Sequence, residues 1–219
     1  MPRQLPSTLI RARRSTGEVV ILKLVDEDEF AIHSFLSNLK APQNHTIPIL
    51  DTILLGVEKV IVMSVERVLS DMLTSDLETT GNSLASQLLE GVRFLHEQNV
   101  AHLDLKPDNI VITAAMQLKI IDFSVSVWVS ELLSWIVGYR GTEGWVAPEL
   151  KNNPDAKFQP IRADLYTTGR VLLFFSKCVG GKFRFAALMR QLLNHNPEQR
   201  PFLSKREAKE EESCGWGKE

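Results

Sequence analysis

Apolar and polar residues alternate along the first third of the chain in a pattern that predicts a small β-sheet. Four strands are predicted in this part, at residues 9–13, 19–25, 47–55 and 59–65. Between the second and third strands, apolar residues recur at helical spacing over residues 30–39. We therefore expect a mostly antiparallel sheet with one helix beside it.

The rest of the chain shows the longer periodicity of helices. The clearest helix is predicted over residues 83–98, with Asn82 or Ser83 as its cap. Two short strands are predicted at 110–112 and 118–121, and later helices at 164–177 and 185–193. The expected fold class is α+β, with lobes at residues 1–65 and 66–203 and a fraying, charged tail at 204–219.

Chemistry-bearing residues are concentrated in one loop between apolar runs. Residues 102–109 read His-Leu-Asp-Leu-Lys-Pro-Asp-Asn, and Asp122 follows the next apolar run. Asp104 could orient a hydroxyl, Lys106 could offset phosphate charge, and Asn109 and Asp122 could supply oxygen ligands to a metal. A hydrogen-bonded surface turn is the simpler alternative.

Five motifs, in the same order, resemble those of eukaryotic protein kinases of the serine/threonine type. Besides the loop at 102–109 they are Asp-Phe-Ser at 122–124, Gly-Thr-Glu-Gly-Trp-Val-Ala-Pro-Glu at 141–149, Asp-Leu-Tyr-Thr-Thr-Gly at 164–169 and Asn-Pro-Glu-Gln-Arg-Pro at 196–201. The resemblance covers residues 9–203. It implies a two-lobed fold with a small antiparallel β lobe and a larger, mainly helical lobe.

The resemblance also implies roles for individual residues, with ATP and Mg²⁺ as cofactors. Asp104 and Lys106 would be catalytic, and Asn109 and Asp122 would hold Mg²⁺. The remaining nucleotide contacts would come from Lys23, Met63, Ser64 and Glu66. Structural roles fall to His102, Phe123, Glu149, Asp164 and Arg200.

The amino-terminal part departs from the kinase pattern. The positions of the expected phosphate-binding glycines fall near Pro2, Gln4 and Ser7, which suggests a shortened chain or a nucleotide held without that lid. Ile21 stands where a small alanine is usual. The glutamate that should pair with Lys23 aligns best with Ala31. If the helix shifts, Glu27 or Glu29 could take its place.

Two further departures concern regulation. Leu103 replaces an arginine that usually couples the catalytic loop to a phosphorylated activation segment, which suggests a kinase not switched on in that way. Ser124 replaces a glycine and restricts the backbone. These changes keep open a pseudokinase, a binding or scaffolding module without turnover. A small-molecule kinase is disfavoured, because residues 141–149 resemble a peptide-positioning loop.

Composition narrows the classes of partner and compartment. The formal net charge of −2 provides no argument for binding nucleic acid or an anionic membrane. Cys178 and Cys214 lack metal-ligand spacing and do not favour a disulfide, which fits a reducing compartment. We find neither a signal-peptide core nor a membrane-spanning run. The expectation is an intracellular protein, cytoplasmic or nuclear, that acts on a protein substrate. The sequence leaves its oligomeric state open.

Overall fold

A four-stranded antiparallel sheet with one adjacent helix forms the first part of the protein. The computed structural model describes residues 9–131 and 134–204. The elements here are β1 (Leu9–Arg13), β2 (Val19–Val25), α1 (Glu27–Asn38), β3 (Asp51–Leu55) and β4 (Glu58–Ser64). The strand order is β1-β2-β4-β3, and Lys23 on β2 lies opposite Ile61 on β4.

The second part is built around two long helices with short two- and three-residue strands between them. Its elements are β5 (Arg67–Val68), α2 (Thr74–Glu97), β6 (Val100–Ala101), β7 (Ile110–Ile112), β8 (Leu118–Ile120), β9 (Val127–Trp128), β10 (Ile136–Val137), β11 (Lys157–Phe158), α3 (Pro160–Val179) and α4 (Ala186–Leu192). The short strands pair as β5-β7-β8, β6-β9 and β10-β11. The five two-residue strands of these ladders were not predicted from the sequence.

Helix α1 begins three residues earlier than the predicted position 30. The Asp26 side chain caps it by accepting a hydrogen bond from the Glu29 backbone N–H at 2.8 Å. The buried side chains recur at i, i+3, i+4 and i+7: Glu29, Ile32, His33 and Leu36. This stripe is the face that α1 turns toward the interior.

The start of α2 was also predicted wrongly. The helix begins at Thr74 rather than residue 83, and Leu73 precedes it without a side-chain cap. The buried stripe simply continues back through Gly81 to Leu77. Asn82 is used elsewhere, because its side-chain oxygen accepts from the Arg184 backbone N–H at 2.9 Å.

Two other predicted boundaries moved for similar reasons. Residues 47–50 are not a strand: the Ile47 backbone N–H donates to Ile120 at 3.0 Å, outside the main sheet. Helix α3 begins at Pro160, not at Asp164, since proline is well suited to the first turn of a helix.

The core confirms the predicted α+β, two-lobed class. A large apolar cluster surrounds α2 and α3 and includes Ile32 and Leu36 of α1. A smaller one joins the sheet to β7 and contains Val25, Ile61 and Val111. Within the described ranges, no helix is long and apolar enough to cross a membrane. The expected lobe boundaries stay predictions. Of the tail predicted at 204–219, the structure describes Ser204, which is buried rather than frayed, and residues 205–219 lie outside the described residues.

A buried ion pair ties the segment before β11 to the end of the fold. The Arg200 guanidinium, fully buried, donates to both carboxylate oxygens of Glu149 at 2.7 Å. It also donates to the backbone oxygen of Arg162 at 2.8 Å. The Glu149 side chain is 16% exposed. Fork-shaped pairing of this kind fixes direction as well as distance.

Replacing Glu149 with glutamine should lower the free energy of unfolding by about 3–5 kcal/mol, because a buried guanidinium would lose its counter-charge. Urea denaturation measures the change. The matched control is Glu143→Gln, an exposed glutamate in the same segment, which should stay within about 0.5 kcal/mol of the wild type. Equal effects of the two substitutions would contradict a structural role for the pair.

Candidate functional site

The Asp104 carboxylate is held in one orientation by three donors. Its Oδ2 accepts from Lys106 Nζ and from Asn109 Nδ2, both at 2.8 Å. Its Oδ1 accepts from the Thr142 backbone N–H at 2.8 Å. Lys106 also donates to Thr142 Oγ1 at 2.5 Å. One ammonium group thus joins the loop after β6 to the segment before β11.

The backbone of this loop is fixed from below by Asp164 of α3. The two carboxylate oxygens of Asp164 accept the backbone N–H groups of His102 and Leu103, each at 2.6 Å. Asp164 has no solvent exposure. Leu103 adopts a left-handed backbone conformation (φ 65°), which orders the turn immediately before Asp104.

Lys23, Glu29 and Asp122 form an ion triad across three elements. Lys23 Nζ donates to Glu29 Oε1 at 2.5 Å and to Asp122 Oδ1 at 2.7 Å. Among the expected partners of Lys23, the structure therefore selects Glu29. The alignment with Ala31 was wrong, because α1 begins at Glu27 and Ala31 lies on its exposed face. Glu27 bonds Lys59 instead.

Charge and burial act in opposite directions on the triad. Burial alone would lower the pKa of Lys23, but Glu29 and Asp122 outweigh it and raise that pKa above its ordinary value. Burial would raise the pKa of Asp122, yet Lys23 lowers it to about 2. For Glu29, which is buried more deeply than Asp122, burial prevails over Lys23 and the pKa is raised.

Three tilted rings pack against one another between α1, the segment after β8 and the loop at 102–109. Phe123 lies 5.1 Å from the His102 ring and 5.1 Å from the His33 ring. His33 Nε2 donates to the Ile47 carbonyl at 2.8 Å, whereas its buried Nδ1 has no partner in the described part of the chain. Burial lowers the pKa of His33 to about 4. His33 was not anticipated from the sequence.

The other predicted nucleotide contacts lie at the end of β4 and in the segment after it. Met63 is buried and lies across from Ile21 of β2. Ser64 is the last residue of β4, and Glu66 lies in the irregular link to β5. Lys23 and Ile21 lie two residues apart on β2 and therefore share one face of the sheet with Met63, the cross-strand partner of Ile21. The predicted positions Pro2, Gln4 and Ser7 lie outside the described residues.

The oxygen donors fit a magnesium nucleotide. The side-chain nitrogen of Asn109 donates hydrogen bonds to Asp104, so its amide oxygen is left to act as a metal ligand. Asp122 offers a second carboxylate oxygen beyond the one on Lys23. Among the described residues, no group of three or more His, Cys, Asp or Glu could hold a metal by itself. Two protein oxygens completed by phosphate and water are typical of Mg²⁺ bound with a nucleotide.

Comparison with known proteins agrees with this arrangement. A model of the protein kinase domain matches residues 13–186. The chain belongs to the protein kinase family. That match takes in β2, α1, the loop at 102–109 and residues 122–149, which in sequence resemble the catalytic loop and activation segment of the family.

Individual kinases resemble the chain over different lengths. CBL-interacting protein kinase 24 of Oryza sativa subsp. japonica is 26% identical over 171 residues, which is 72% of this chain and 37% of the rice protein. Serine/threonine-protein kinase cds1 of Schizosaccharomyces pombe is 39% identical over 93 residues, or 41% of this chain and 20% of that protein. A probable serine/threonine-protein kinase, KKQ8, of Candida glabrata is 39% identical over 90 residues, or 39% and 12%. The chain spans 12–37% of the length of these three relatives.

Thr142 joins His33 among the site residues that sequence reasoning missed. Its bonds to Asp104 and Lys106 cross 38 and 36 positions of the chain, and no local spacing reports such a contact. His33 follows Glu29 by four residues, which places both on one helical face. With the start of α1 placed at Glu27, this spacing would have predicted that His33 lies beside Glu29.

Stability should fall in acid because of His33. The folded state favours the neutral ring, so its contribution is complete above the ordinary pKa of 6.5 and is lost as the pH falls toward about 4. The full difference is about 3 kcal/mol. Urea unfolding at several pH values between 7 and 4 should show this loss in the wild type and a flatter profile in His33→Leu.

The exposed His195 supplies the control. His195→Gln should keep the wild-type pH profile. If His33→Leu loses as much stability as the wild type between pH 6.5 and 4, another group causes the acid sensitivity.

Proposed function

We propose that the chain is a serine/threonine protein kinase that transfers the γ-phosphate of ATP to a hydroxyl group of a protein substrate. The observation that carries the proposal is the Asp104 carboxylate, oriented by Lys106, Asn109 and Thr142. A surface turn would not need three donors on one acid, one of them from a segment 38 residues further along the chain. The part-length matches to serine/threonine kinases support the same class.

Asp104 and Lys106 would perform the group transfer itself. Asp104 accepts a hydrogen bond from the substrate hydroxyl and turns its oxygen toward the phosphorus for in-line attack. Lys106, which already lies between Asp104 and Thr142, offsets negative charge on the transferred group. Because both side chains are mostly buried (12% and 16% exposed), their electrostatic effect is stronger than at an open surface.

The nucleotide would be held by the residues around the ion triad. Lys23, kept in place by Glu29, contacts the α- and β-phosphates, and Asn109 and Asp122 hold Mg²⁺. When bound, Mg²⁺ would neutralise negative charge that develops on the phosphate during transfer. Met63 would flank the adenine, and the backbone of Ser64 to Glu66 would donate to and accept from its edge.

A specific observation favours the pseudokinase as the second candidate. Ile21 is the cross-strand partner of Met63, the residue that would flank the adenine, and the branched Ile21 takes space that an alanine would leave open. In that case the site binds nucleotide weakly or not at all, and the protein signals by contact.

Thermal melting with Mg²⁺ and ATP tests the nucleotide site. Ligand at one hundred times its dissociation constant should stabilise the protein by about 2.7 kcal/mol, seen as a rise in Tm that needs both components. Asp122→Ala should abolish the rise. Asp155→Ala, at an exposed carboxylate away from the site, should retain it. No shift in the wild type would overturn nucleotide binding.

Phosphate transfer to a serine-containing protein substrate tests catalysis. Asp104→Ala should reduce kcat by about 100- to 10,000-fold, since it removes the group that orients the hydroxyl. Asp108→Ala, an exposed neighbour in the same loop, should behave like the wild type. A wild type that binds Mg²⁺ and ATP but transfers no phosphate would identify the pseudokinase.

A further inference from the structure

Helix α1 meets the activation segment through a pair of aromatic rings. The ring centroids of Phe35 on α1 and Trp128 on β9 are 5.1 Å apart, with an edge-on angle of 68°. The two residues remain 40% and 47% exposed, so neither is an ordinary core residue. Edge-to-face rings at this separation attract each other beyond the apolar area they bury.

Trp128 is held by the strand pair β6-β9. Its strand β9 pairs with β6, where Val100 lies opposite Trp128. The next residue, Val129, donates its backbone N–H to the Asn99 carbonyl at 2.8 Å. Since β6 leads directly into the loop at 102–109, its pairing with β9 holds Trp128 in a fixed place relative to that loop.

Phe35 belongs to the element that must be held. Helix α1 has 12 residues, a length at which an isolated helix is only marginally stable in water. Glu29 anchors its first half through Lys23. The buried Ile32 and Leu36 pack the helix against the core. Phe35 lies six residues after Glu29, about 9 Å along the axis, and adds a contact that holds the second half of the helix to β9.

The catalytic loop offers no charged substitute for this contact. Between residues 100 and 109 the sequence has a single lysine or arginine, Lys106, and that side chain is bonded to Asp104 and Thr142. Leu103 is 3% exposed and carries no charge. A phosphate on the activation segment would therefore find no free cation in this loop.

We propose that Phe35 and Trp128 are positioning residues: an aromatic clasp that holds α1 on β9 and so keeps Glu29 on Lys23 with no charge added to the activation segment. The effect on nucleotide binding rests on the proposed function. The docking of α1 does not, and it can be measured without nucleotide.

Hydrogen exchange of the α1 amides in the nucleotide-free protein tests the docking. Phe35→Ala and Trp128→Ala should each speed α1 exchange about three- to tenfold, as expected for one aromatic pair. The double variant should exceed neither single variant by much, because both remove the same contact. Trp128→Phe should restore most of the protection.

Trp135→Ala is the matched control. Trp135 is a tryptophan of the same segment, 55% exposed, whose ring lies near Lys157 instead. Trp135→Ala should leave α1 exchange unchanged.

The slower-exchanging α2 amides report global unfolding. If Trp128→Ala disturbs α2 as well, Phe35→Ala alone decides. Unchanged α1 exchange in Phe35→Ala, or singles whose effects multiply in the double variant, would overturn the clasp.

Titration with Mg²⁺ and ATP then tests the positioning. The affinity should fall by a similar factor in both single variants, with the KM for ATP raised more than kcat is lowered. Faster α1 exchange with an unchanged affinity would overturn the link to Glu29 and Lys23. A wild type that binds no nucleotide would instead refute the proposed function, and the exchange result would still decide the docking.

Discussion

The Lys23 ammonium is the point at which strand, helix and loop are joined. It bonds Glu29 of α1 and Asp122 after β8 at once, although 99 positions of the chain separate it from Asp122. The Lys23 side chain is 4% exposed, so its charge would be buried without a partner if both carboxylates moved away, which is energetically costly. This cost keeps α1 close to the sheet and fixes the place where a metal-bound phosphate could bind.

A second buried charge, that of Asp164, fixes the loop at 102–109. Asp164 occupies the start of α3 and accepts two backbone N–H groups that would otherwise be buried without partners. The side chains of the loop are then available to bond one another, as Asn109 does when it donates to Asp104. Rigid support below and mutual bonding above leave Asp104 with one orientation, the condition for aligning a hydroxyl in a transfer reaction.

Local spacing predicted the parts of the site that lie within one short segment. Asp104, Lys106 and Asn109 could be assigned because all three lie in one loop. Glu29 could not be chosen from the sequence while the start of α1 was placed at residue 30. Asp26 followed three residues later by Glu29 is a helix-start pattern, and reading it would have chosen Glu29 over Ala31. Thr142 and Trp128 had no such signal, because their contacts depend on how distant segments pack.

The departures from the kinase pattern fall into two groups with different consequences. Ile21 and the amino-terminal positions concern the roof of the nucleotide site, so they bear on affinity. Leu103 concerns the activation segment, where β6 pairs with β9 and an aromatic contact joins that ladder to α1. Apolar packing needs no added charge and is not weakened by ionic screening, whereas a phosphate–arginine bridge needs the phosphate and weakens as the ionic strength rises. If Phe35 and Trp128 form the proposed clasp, the segment is ordered as soon as the chain folds, and a partner that contacts these two half-exposed rings would then control it in place of phosphorylation.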